Sequence, residues 1–134
     1  METSDLQDKL IHDLIGQPFR YGGRGPDMYD CYGLCIEIYR RLGGKKLPDY
    51  HSTDDIWLIH QQVLQGKEIF SQIAKPEPYC FVLFELKPPY ATHIGIMLDD
   101  VRFIHIQMKK FVCIERIDSF LWKSRVKGFY KWTN

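Results

Sequence analysis

A glycine-rich loop that runs into a cysteine-bearing helix is the feature that most constrains this chain. Residues 18–44 read PFRYGGRGPDMYDCYGLCIEIYRRLGG. Apolar residues recur there at helical spacing and predict one buried helix face: Cys31, Leu34, Cys35, Ile38 and Leu42. Asp30 stands where an N-cap belongs, and we expect Gly43 and Gly44 to end the helix.

Cys31 therefore lies at the first turn of the predicted helix, on the face that meets the rest of the protein. Unpaired backbone N–H groups at a helix start favour negative charge, so a thiolate is stabilised there and can act as a nucleophile. The same groups could hold an oxyanion during acyl transfer. The alternative is that Cys31 is a small buried apolar residue, as most free cysteines are. The helix alone favours that alternative, and two histidines further along the chain reverse the preference.

His93 and His105 lie on two successive predicted strands. Strand alternation puts Ala91 and Gly95 on the face of His93. Because these neighbours are small, a helix could approach closely and bring its thiol up to the imidazole.

The loop between these strands decides whether the two histidines share a face of the sheet. With Asp99 and Asp100 as a two-residue hairpin loop, His93 and His105 would point to opposite faces. A three-residue loop or a bulge would put them on the same face. The sequence lacks the Asn-Gly or Asp-Gly that the tight turn prefers, so we predict the longer loop.

In that register, Cys31, His93 and His105 form a candidate catalytic set. Cys31 would attack an acyl carbon, and His93 would take the thiol proton and later protonate the leaving amine. His105 would orient His93 through the other ring nitrogen of His93. The alternative is a pair of ordinary half-buried strand histidines. Nucleophile, base and orienting residue together favour the catalytic interpretation.

Composition limits the partners of the chain. Its 134 residues suit a single domain, predicted over residues 1–134, and 45% hydrophobic residues exclude a disordered chain. The net charge of +1 and the lack of a basic, aromatic-studded face argue against a nucleic-acid partner. The charged N-terminus does not read as a signal peptide, and no stretch is long enough to span a membrane. We therefore expect a protein that is cytoplasmic at synthesis.

The four cysteines predict neither a disulfide framework nor a metal site. Cys31 and Cys35 are one helical turn apart, while Cys80 and Cys113 lie in apolar strand-like runs, which indicates thiols in a reducing compartment. Zinc would need cysteines and histidines at paired short spacings, and a lone C-x-x-x-C is weak evidence. The glycine-rich loop also lacks both phosphate-binding patterns. We expect no metal and no cofactor.

The order of the predicted elements indicates an α+β domain, with N-terminal helices packed on a C-terminal antiparallel sheet. Besides the helix that carries Cys31, helices are predicted over 4–15 and about 54–64, and a polar loop over 66–78. Strands are predicted over 79–86, 92–98, 102–108, 111–116 and 126–132, with a helical turn at 119–123.

The motifs resemble those of the NlpC/P60 family of cysteine peptidases. The chain has P-F-R-Y-G-G at 18–23, D-C-Y-G-L at 30–34 and H-I-G-I at 93–96, with His105 in the place of the third polar residue. The order of helices and strands agrees as well, so the resemblance covers nearly the whole chain.

The resemblance implies a papain-like fold and hydrolysis of bacterial cell-wall stem peptides, typically at the bond between D-glutamate and a diamino acid. By position, Cys31 matches the family nucleophile, His93 the base and His105 the orienting residue. Asp30 matches the acidic residue that binds the free amine of the stem peptide.

Departures from the family pattern lie on the substrate-binding side. Tyr32 replaces a small Ser or Thr, and Phe19 replaces a tyrosine, while Tyr21 keeps an aromatic ring in the next family position. The short domain, with LPDY at 47–50, looks most like versions found among phage tail proteins. The resemblance therefore implies tail proteins as partners and delivery to the cell wall by a virion or a secretion system.

Two other functions fit the same residues. The site could act as an amidase or acyltransferase on a substrate other than murein, since a thioester can be resolved by water or by an amine. The chain could also be a catalytically silent structural tail component or binding module. In that case Cys31 would be no more reactive than Cys35 at neutral pH.

Overall fold

The computed structural model describes residues 2–43, 46–47, 70–86 and 93–132. The chain divides into two compact units. The first comprises Met1–Ser52 and His105–Cys113, and the second comprises Thr53–Ile104 and Ile114–Asn134. The single domain over residues 1–134 stays a prediction.

The first unit contains two amphipathic helices, α1 (Glu2–Leu14) and α2 (Cys31–Gly43). Each helix buries an apolar stripe, as its sequence period predicts. The buried residues include Leu10 and Leu14 of α1 and Leu34, Cys35 and Ile38 of α2.

An ion-pair network joins the two helices. Arg41 of α2 donates to Asp13 of α1 at 2.7 Å and to Glu37 at 2.6 Å. Burial acts to raise the pKa of Glu37, but its hydrogen bonds with Arg40 and Arg41 outweigh this and leave the pKa lowered. Glu37 is therefore charged at neutral pH and holds Arg41 where it can reach α1.

After α1 the chain pairs with the segment 105–113 of the same unit. Gly16, with a φ of +89°, follows the helix in a left-handed conformation that suits glycine. Its N–H donates to the carbonyl of Val112 at 3.0 Å, and the N–H of Val112 donates to the carbonyl of Gln17 at 2.9 Å. The glycine-rich loop thus begins from a segment that is fixed against residues 105–113.

The strands form a six-stranded sheet with the order β1-β6-β2-β3-β4-β5, and all of its residues except His105 and Cys113 belong to the second unit. Antiparallel pairing joins β1 to β6, β6 to β2, β2 to β3 and β3 to β4. The strands are β1 (Phe70–Ile73), β2 (Phe81–Phe84), β3 (His93–Met97), β4 (Arg102–His105), β5 (Cys113–Arg116) and β6 (Val126–Trp132). The predicted antiparallel meander is confirmed for β2 to β4, and β5 lies next to β4 in the sheet. Helices followed by strands confirm the predicted α+β class.

A buried cluster of the second unit lies on one face of this sheet. The cluster consists of Cys80, Val82, Phe84, Met97, Phe103 and Trp122. Every residue of β2 and β3 is buried, so both faces of these central strands are covered. Such strands lack the alternation of a half-exposed sheet and read as continuous apolar runs.

The register of β3 and β4 confirms the predicted three-residue loop. Met97 pairs with Phe103, and the N–H of Leu98 donates to the carbonyl of Arg102 at 2.8 Å, which leaves residues 99–101 as the loop. The side chain of Asp99 accepts the N–H groups of Val101 and Arg102 at 2.9 and 2.7 Å. The odd-numbered positions of the two strands therefore share one face of the sheet.

Two predictions about strands were wrong. Residues 66–78 were predicted to be a loop, but β1 lies within them and pairs with β6. The strand predicted over 102–108 ends at His105, because the chain turns at Lys109, which has a φ of +64°.

The helix predicted over about 54–64 lies outside the described residues. Among the residues that the structure describes, no helix is long and apolar enough to cross a membrane.

Candidate active site

Cys31 is the first residue of α2, and Asp30 caps the helix as predicted. The Oδ1 atom of Asp30 accepts the N–H of Gly33 at 2.6 Å, and its backbone carbonyl accepts the N–H of Leu34 at 3.0 Å. Gly33 is three positions after the cap, which is the usual reach of a capping side chain. Cys31 is thus held at the positive end of the helix dipole, where a thiolate is favoured.

The carboxylate of Asp30 also fixes the glycine-rich loop. Its Oδ2 accepts the N–H of Gly22 at 3.1 Å, and Nη1 of Arg24 lies 3.0 Å from each oxygen. Together with the bond from Gly33, these contacts use the four acceptor positions of a carboxylate. Asp30 is only 4% exposed, so a substrate amine could reach this carboxylate only by displacing one of the present donors.

Two glycines let the loop lie directly against the start of α2. A Cβ atom on Gly33 would lie 1.9 Å from the carbonyl oxygen of Gly23, and a Cβ atom on Gly23 would lie 2.7 Å from the Cα of Tyr29. Neither space accepts a side chain unless the backbone moves. The sequence motif therefore needs glycine at these positions for packing and not for flexibility.

The two thiols of α2 differ in environment. Cys31 is partly exposed, whereas Cys35 is buried and its Sγ lies 3.4 Å from the carbonyl oxygen of Cys31. Burial raises the pKa of Cys35 well above its ordinary value, and the nearby Cys31 and Asp30 add to the effect. Cys35 is therefore a protonated core thiol at neutral pH.

The predicted substrate-binding aromatics lie in the same unit. The ring of Tyr21 packs edge-on against Phe19 with 5.1 Å between the centroids, and its hydroxyl contacts the sulfur of Met108. Tyr21 is 53% exposed, while Tyr32, next to the cysteine, is half-buried. Tyr21 thus offers an exposed ring from the loop that Asp30 fixes.

His105 lies at the end of β4 and is 1% exposed. Its Nε2 atom is 3.6 Å from the Sγ of Cys113. The segment that follows His105 is held against the loop region, since the N–H of Phe19 donates to the carbonyl of Lys110 at 3.2 Å.

His93 opens β3 in the second unit and is 4% exposed. Its ring stacks on Trp122, with 5.9 Å between centroids and 27° between planes, and lies 5.6 Å from the ring of Phe84. Phe84 is also its register partner on β2. Two large rings therefore restrict the orientation of the imidazole.

Five of the six predicted site residues thus lie in the first unit, and His93 lies in the second. Within the first unit, Asp30, Cys31 and Tyr32 are consecutive, and Asp30 also fixes the loop that carries Tyr21. The catalytic and substrate-binding roles of all six stay predictions.

Three side chains that contact the predicted residues were not predicted from the sequence. Arg24 pairs with Asp30, Cys113 lies beside His105, and Trp122 stacks on His93. The loop conformation and the strand order determine these contacts, and no short sequence motif reports them.

Comparison with known proteins decides the family. A model of the NlpC/P60 family matches residues 16–131. The chain belongs to the NlpC/P60 family. The NlpC/P60 match includes the glycine-rich loop, α2 and all six strands apart from the last residue of β6. The resemblance seen in the motifs is thereby confirmed.

A curated relative and several solved structures agree with this membership. The NlpC/P60 chain is 28% identical over 129 residues to "Probable peptidoglycan endopeptidase LytE" of Bacillus subtilis (strain 168), which covers 94% of the chain. The match covers 34% of that relative, so the chain spans about a third of its length.

Solved NlpC/P60 structures show the same fold. A family protein from Bacillus cereus ATCC 10987 has a TM-score of 0.72 at 18% identity, covering 98% of this chain and 40% of that one. An NLP/P60 protein similar to a lipoprotein, from Staphylococcus aureus, has a TM-score of 0.69 at 21% identity, covering 99% and 42%. The NlpC/P60 domain of the peptidoglycan hydrolase SagA has a TM-score of 0.63 at 20% identity, covering 97% of both chains.

Proposed function

We propose that the chain is a cysteine peptidase that hydrolyses peptide bonds in bacterial cell-wall stem peptides. The observation that carries the proposal is Cys31, partly exposed at the first turn of α2 behind the Asp30 cap, in a member of the NlpC/P60 family. The homology to a probable peptidoglycan endopeptidase supports the choice of substrate.

In the proposed reaction, Sγ of Cys31 attacks the carbonyl carbon of the scissile bond and its proton passes to His93. The amine then leaves with that proton, and the acyl group remains on Cys31 as a thioester. A water molecule gives a proton to His93 and attacks the thioester, after which the acid leaves and the thiol is restored. Backbone N–H groups at the start of α2 stabilise the oxyanion in both halves of the reaction.

His105 acts in this proposal by accepting the second ring N–H of His93 and so orienting it. The three-residue loop between β3 and β4 supports this role, because it puts odd-numbered positions of both strands on one face. The stacking of His93 on Trp122 supports a fixed imidazole.

For the substrate, we propose the bond between D-glutamate and a diamino acid. The exposed ring of Tyr21 and the half-buried Tyr32 would contact the peptide. A free stem-peptide amine would meet Asp30 by taking the place of Arg24, since the backbone N–H groups of Gly22 and Gly33 are needed to hold the loop and the helix.

We also propose that the protein acts at the cell wall in association with a phage or prophage tail, or after export by a secretion system. The support is the resemblance of the short domain, with LPDY at 47–50, to versions found among phage tail proteins.

Digestion of purified peptidoglycan tests the proposed function. Walls of the diaminopimelate and lysine types are incubated with wild-type protein, with Cys31→Ala and with Cys35→Ala, and released peptides are identified by mass spectrometry. We expect stem fragments from the wild type and from Cys35→Ala, and none from Cys31→Ala. The masses identify the cleaved bond.

Two other outcomes would contradict the proposal. If neither wall type releases peptides while Cys31 reacts with a thiol alkylator, the chemistry serves another acyl substrate, as in an amidase or acyltransferase. If Cys31 is also no more reactive than Cys35, the chain is a binding module or structural component.

A further inference from the structure

His105 and Cys113 place a ring nitrogen and a sulfur at a distance that suits a metal ion. The atoms Nε2 and Sγ are 3.6 Å apart, both in the first unit. A tetrahedral zinc ion with Zn–N near 2.05 Å and Zn–S near 2.3 Å would hold its two ligand atoms about 3.6 Å apart. The pair therefore needs almost no movement to bind such an ion.

We propose that His105 and Cys113 bind a thiophilic divalent cation of the zinc type, and that the bound ion inhibits the peptidase. Neutral imidazole and thiolate are two of the preferred zinc ligands. On binding, Cys113 releases its thiol proton to solvent and a metal–sulfur bond forms.

The inhibition follows from the two nitrogens of His105, and this step rests on the proposed function. To accept the N–H of His93, the nitrogen Nδ1 of His105 must carry a lone pair, so the proton lies on Nε2 and points to Cys113. An ion on Nε2 forces the proton onto Nδ1. His105 then becomes a donor at Nδ1 and can no longer accept from His93. The charge of the ion also opposes formation of a protonated His93 during the reaction.

The spacing rules applied to the sequence do not detect this pair. His105 and Cys113 are separated by seven residues, and a turn at Lys109 brings them together. Zinc sites are predicted from closely spaced ligands such as C-x-x-C or H-x-H, and His105 and Cys113 do not have such a spacing. The site is not a resident cofactor site, since the proposed reaction takes place without a metal.

Cobalt titration tests the site without any need for activity. Co²⁺ bound to a thiolate gives an absorption band from sulfur-to-metal charge transfer, and the titration uses Cys31→Ala protein so that the nucleophile cannot bind the ion. We expect the band to saturate at one cobalt per chain. Adding Cys113→Ser should remove the band, and adding His105→Ala should weaken binding at least about tenfold.

Adding Cys35→Ala to Cys31→Ala is the matched control, and it should leave the band unchanged. Absence of the band in Cys31→Ala alone overturns the site, whatever the further variants do. Persistence of the band after Cys113→Ser also overturns it, because the sulfur must then belong to another cysteine. Circular dichroism verifies the fold of each variant, and Cys113→Val replaces Cys113→Ser if the serine variant does not fold.

Inhibition is tested separately on peptidoglycan digestion. We expect Cys113→Ser to need at least about ten times more Zn²⁺ for half-inhibition than the wild type, with the digestion rate of each protein compared with its own zinc-free rate. Equal zinc sensitivity of the two proteins overturns the inhibitory role. If no variant digests peptidoglycan, the proposed function fails, and the cobalt titration still decides the site.

Discussion

Asp30, next to the proposed nucleophile Cys31, performs several structural tasks with one side chain. Its carboxylate caps α2 through Gly33, holds the loop through Gly22 and pairs with Arg24. The cap alone would explain an Asp, Ser, Asn or Thr at this position. The additional bonds to Gly22 and Arg24 need a group with two oxygens and a negative charge.

Replacement of Asp30 by serine and by alanine separates these two tasks. Asp30→Ala should lower the free energy of unfolding by about 3 kcal/mol, because Arg24 then lies beside a buried site without its partner charge. Asp30→Ser should recover about 1 kcal/mol of this loss, since serine can cap α2 but cannot pair with Arg24. Urea unfolding followed by circular dichroism measures both values. A serine variant as stable as the wild type would mean that the bonds to the loop contribute nothing.

At the same scale, the sequence indicated the candidate site residues but not the side chains that contact them. The cap at Asp30 and the placement of Cys31 followed from the local helix pattern, because a cap and its target are three residues apart. The contacts of Arg24 with Asp30 and of Cys113 with His105 depend on how a loop folds back and how strands are ordered. Such relations carry no local sequence signal.

At the scale of elements, the start of α2 and the glycine-rich loop are packed without space for a side chain. Gly33 lies against the carbonyl of Gly23. At the other end of α2, a Cβ atom on Gly43 would have no heavy atom of the described residues within 4 Å, apart from its chain neighbours and the backbone of its own helix. Gly33 and Gly43 therefore allow the same glycine-to-alanine substitution to be compared at a closely packed position and at an open position of one helix.

Gly33→Ala should destabilise the protein by about 2 kcal/mol, in the range seen for overpacked positions, and should displace the loop or the first turn that carries Cys31. Gly43→Ala should be neutral or up to about 1 kcal/mol stabilising, because alanine favours the helix. Thermal and urea unfolding of the two variants measure the difference. Equal stabilities would show that the loop moves away from Gly33 without cost.

The loop between β3 and β4 sets the register that the catalytic proposal needs. Burial acts to raise the pKa of Asp99, but the hydrogen bonds from Arg102 and Val101 outweigh it and lower the pKa to about 2. Because the folded pKa lies below the ordinary value of 3.8, Asp99 stabilises the fold above about pH 4, and this contribution is lost as the pH falls towards about 2.

Asp99→Asn should therefore be less stable than the wild type at neutral pH, and the two should converge as the pH falls to about 2. The side chain is 40% exposed, so we expect a difference of at most about 1 kcal/mol, reduced by salt. Urea midpoints measured from neutral pH to about pH 2 check the trend. If the difference in stability between the wild type and Asp99→Asn does not change with pH, the charge of Asp99 is not its cause.

Most strands could be predicted because β2 and β3 are largely apolar runs of four and five residues, and β4 has Phe103 and Ile104 at its centre. The exception is β1, the edge strand next to β6. Its buried Phe70 is followed by two exposed polar residues, so the strand lacks the regular alternation of buried and exposed positions. Four residues at an edge give too short a pattern to distinguish from a polar loop. The pairing with β6, more than fifty positions away, is a tertiary effect.

At the scale of the whole molecule, the fold sorts four free cysteines into two classes. Cys31 and Cys113 are partly exposed, whereas Cys35 and Cys80 are buried. Burial is the main cause that raises the pKa of both buried thiols. Each buried thiol favours the folded state below its ordinary pKa, and that contribution is lost as the pH rises above it.

Alkylation followed by peptide mapping should show this division. Under native conditions at neutral pH, Cys31 and Cys113 should be modified first, with Cys31 the faster because of the helix dipole. Cys35 and Cys80 should react only at the rate of unfolding, and all four should react together in urea. Native labelling of Cys35 at the rate of Cys31 would contradict both the burial and the proposed nucleophile.

The close contact between Gly33 and Gly23 also has a consequence for protein engineering. Chimeras that exchange the glycine-rich loop between relatives are an obvious design for engineering members of this family. Here the backbone of the loop packs directly against the first turn of α2, and the ion pair between Arg24 and Asp30 joins the same two segments. A loop taken from a relative and inserted up to Asp30 would therefore pack against a helix from a different protein. Recombination at residues 20 and 33 transfers these two segments together, whereas a crossover between those positions should give insoluble protein.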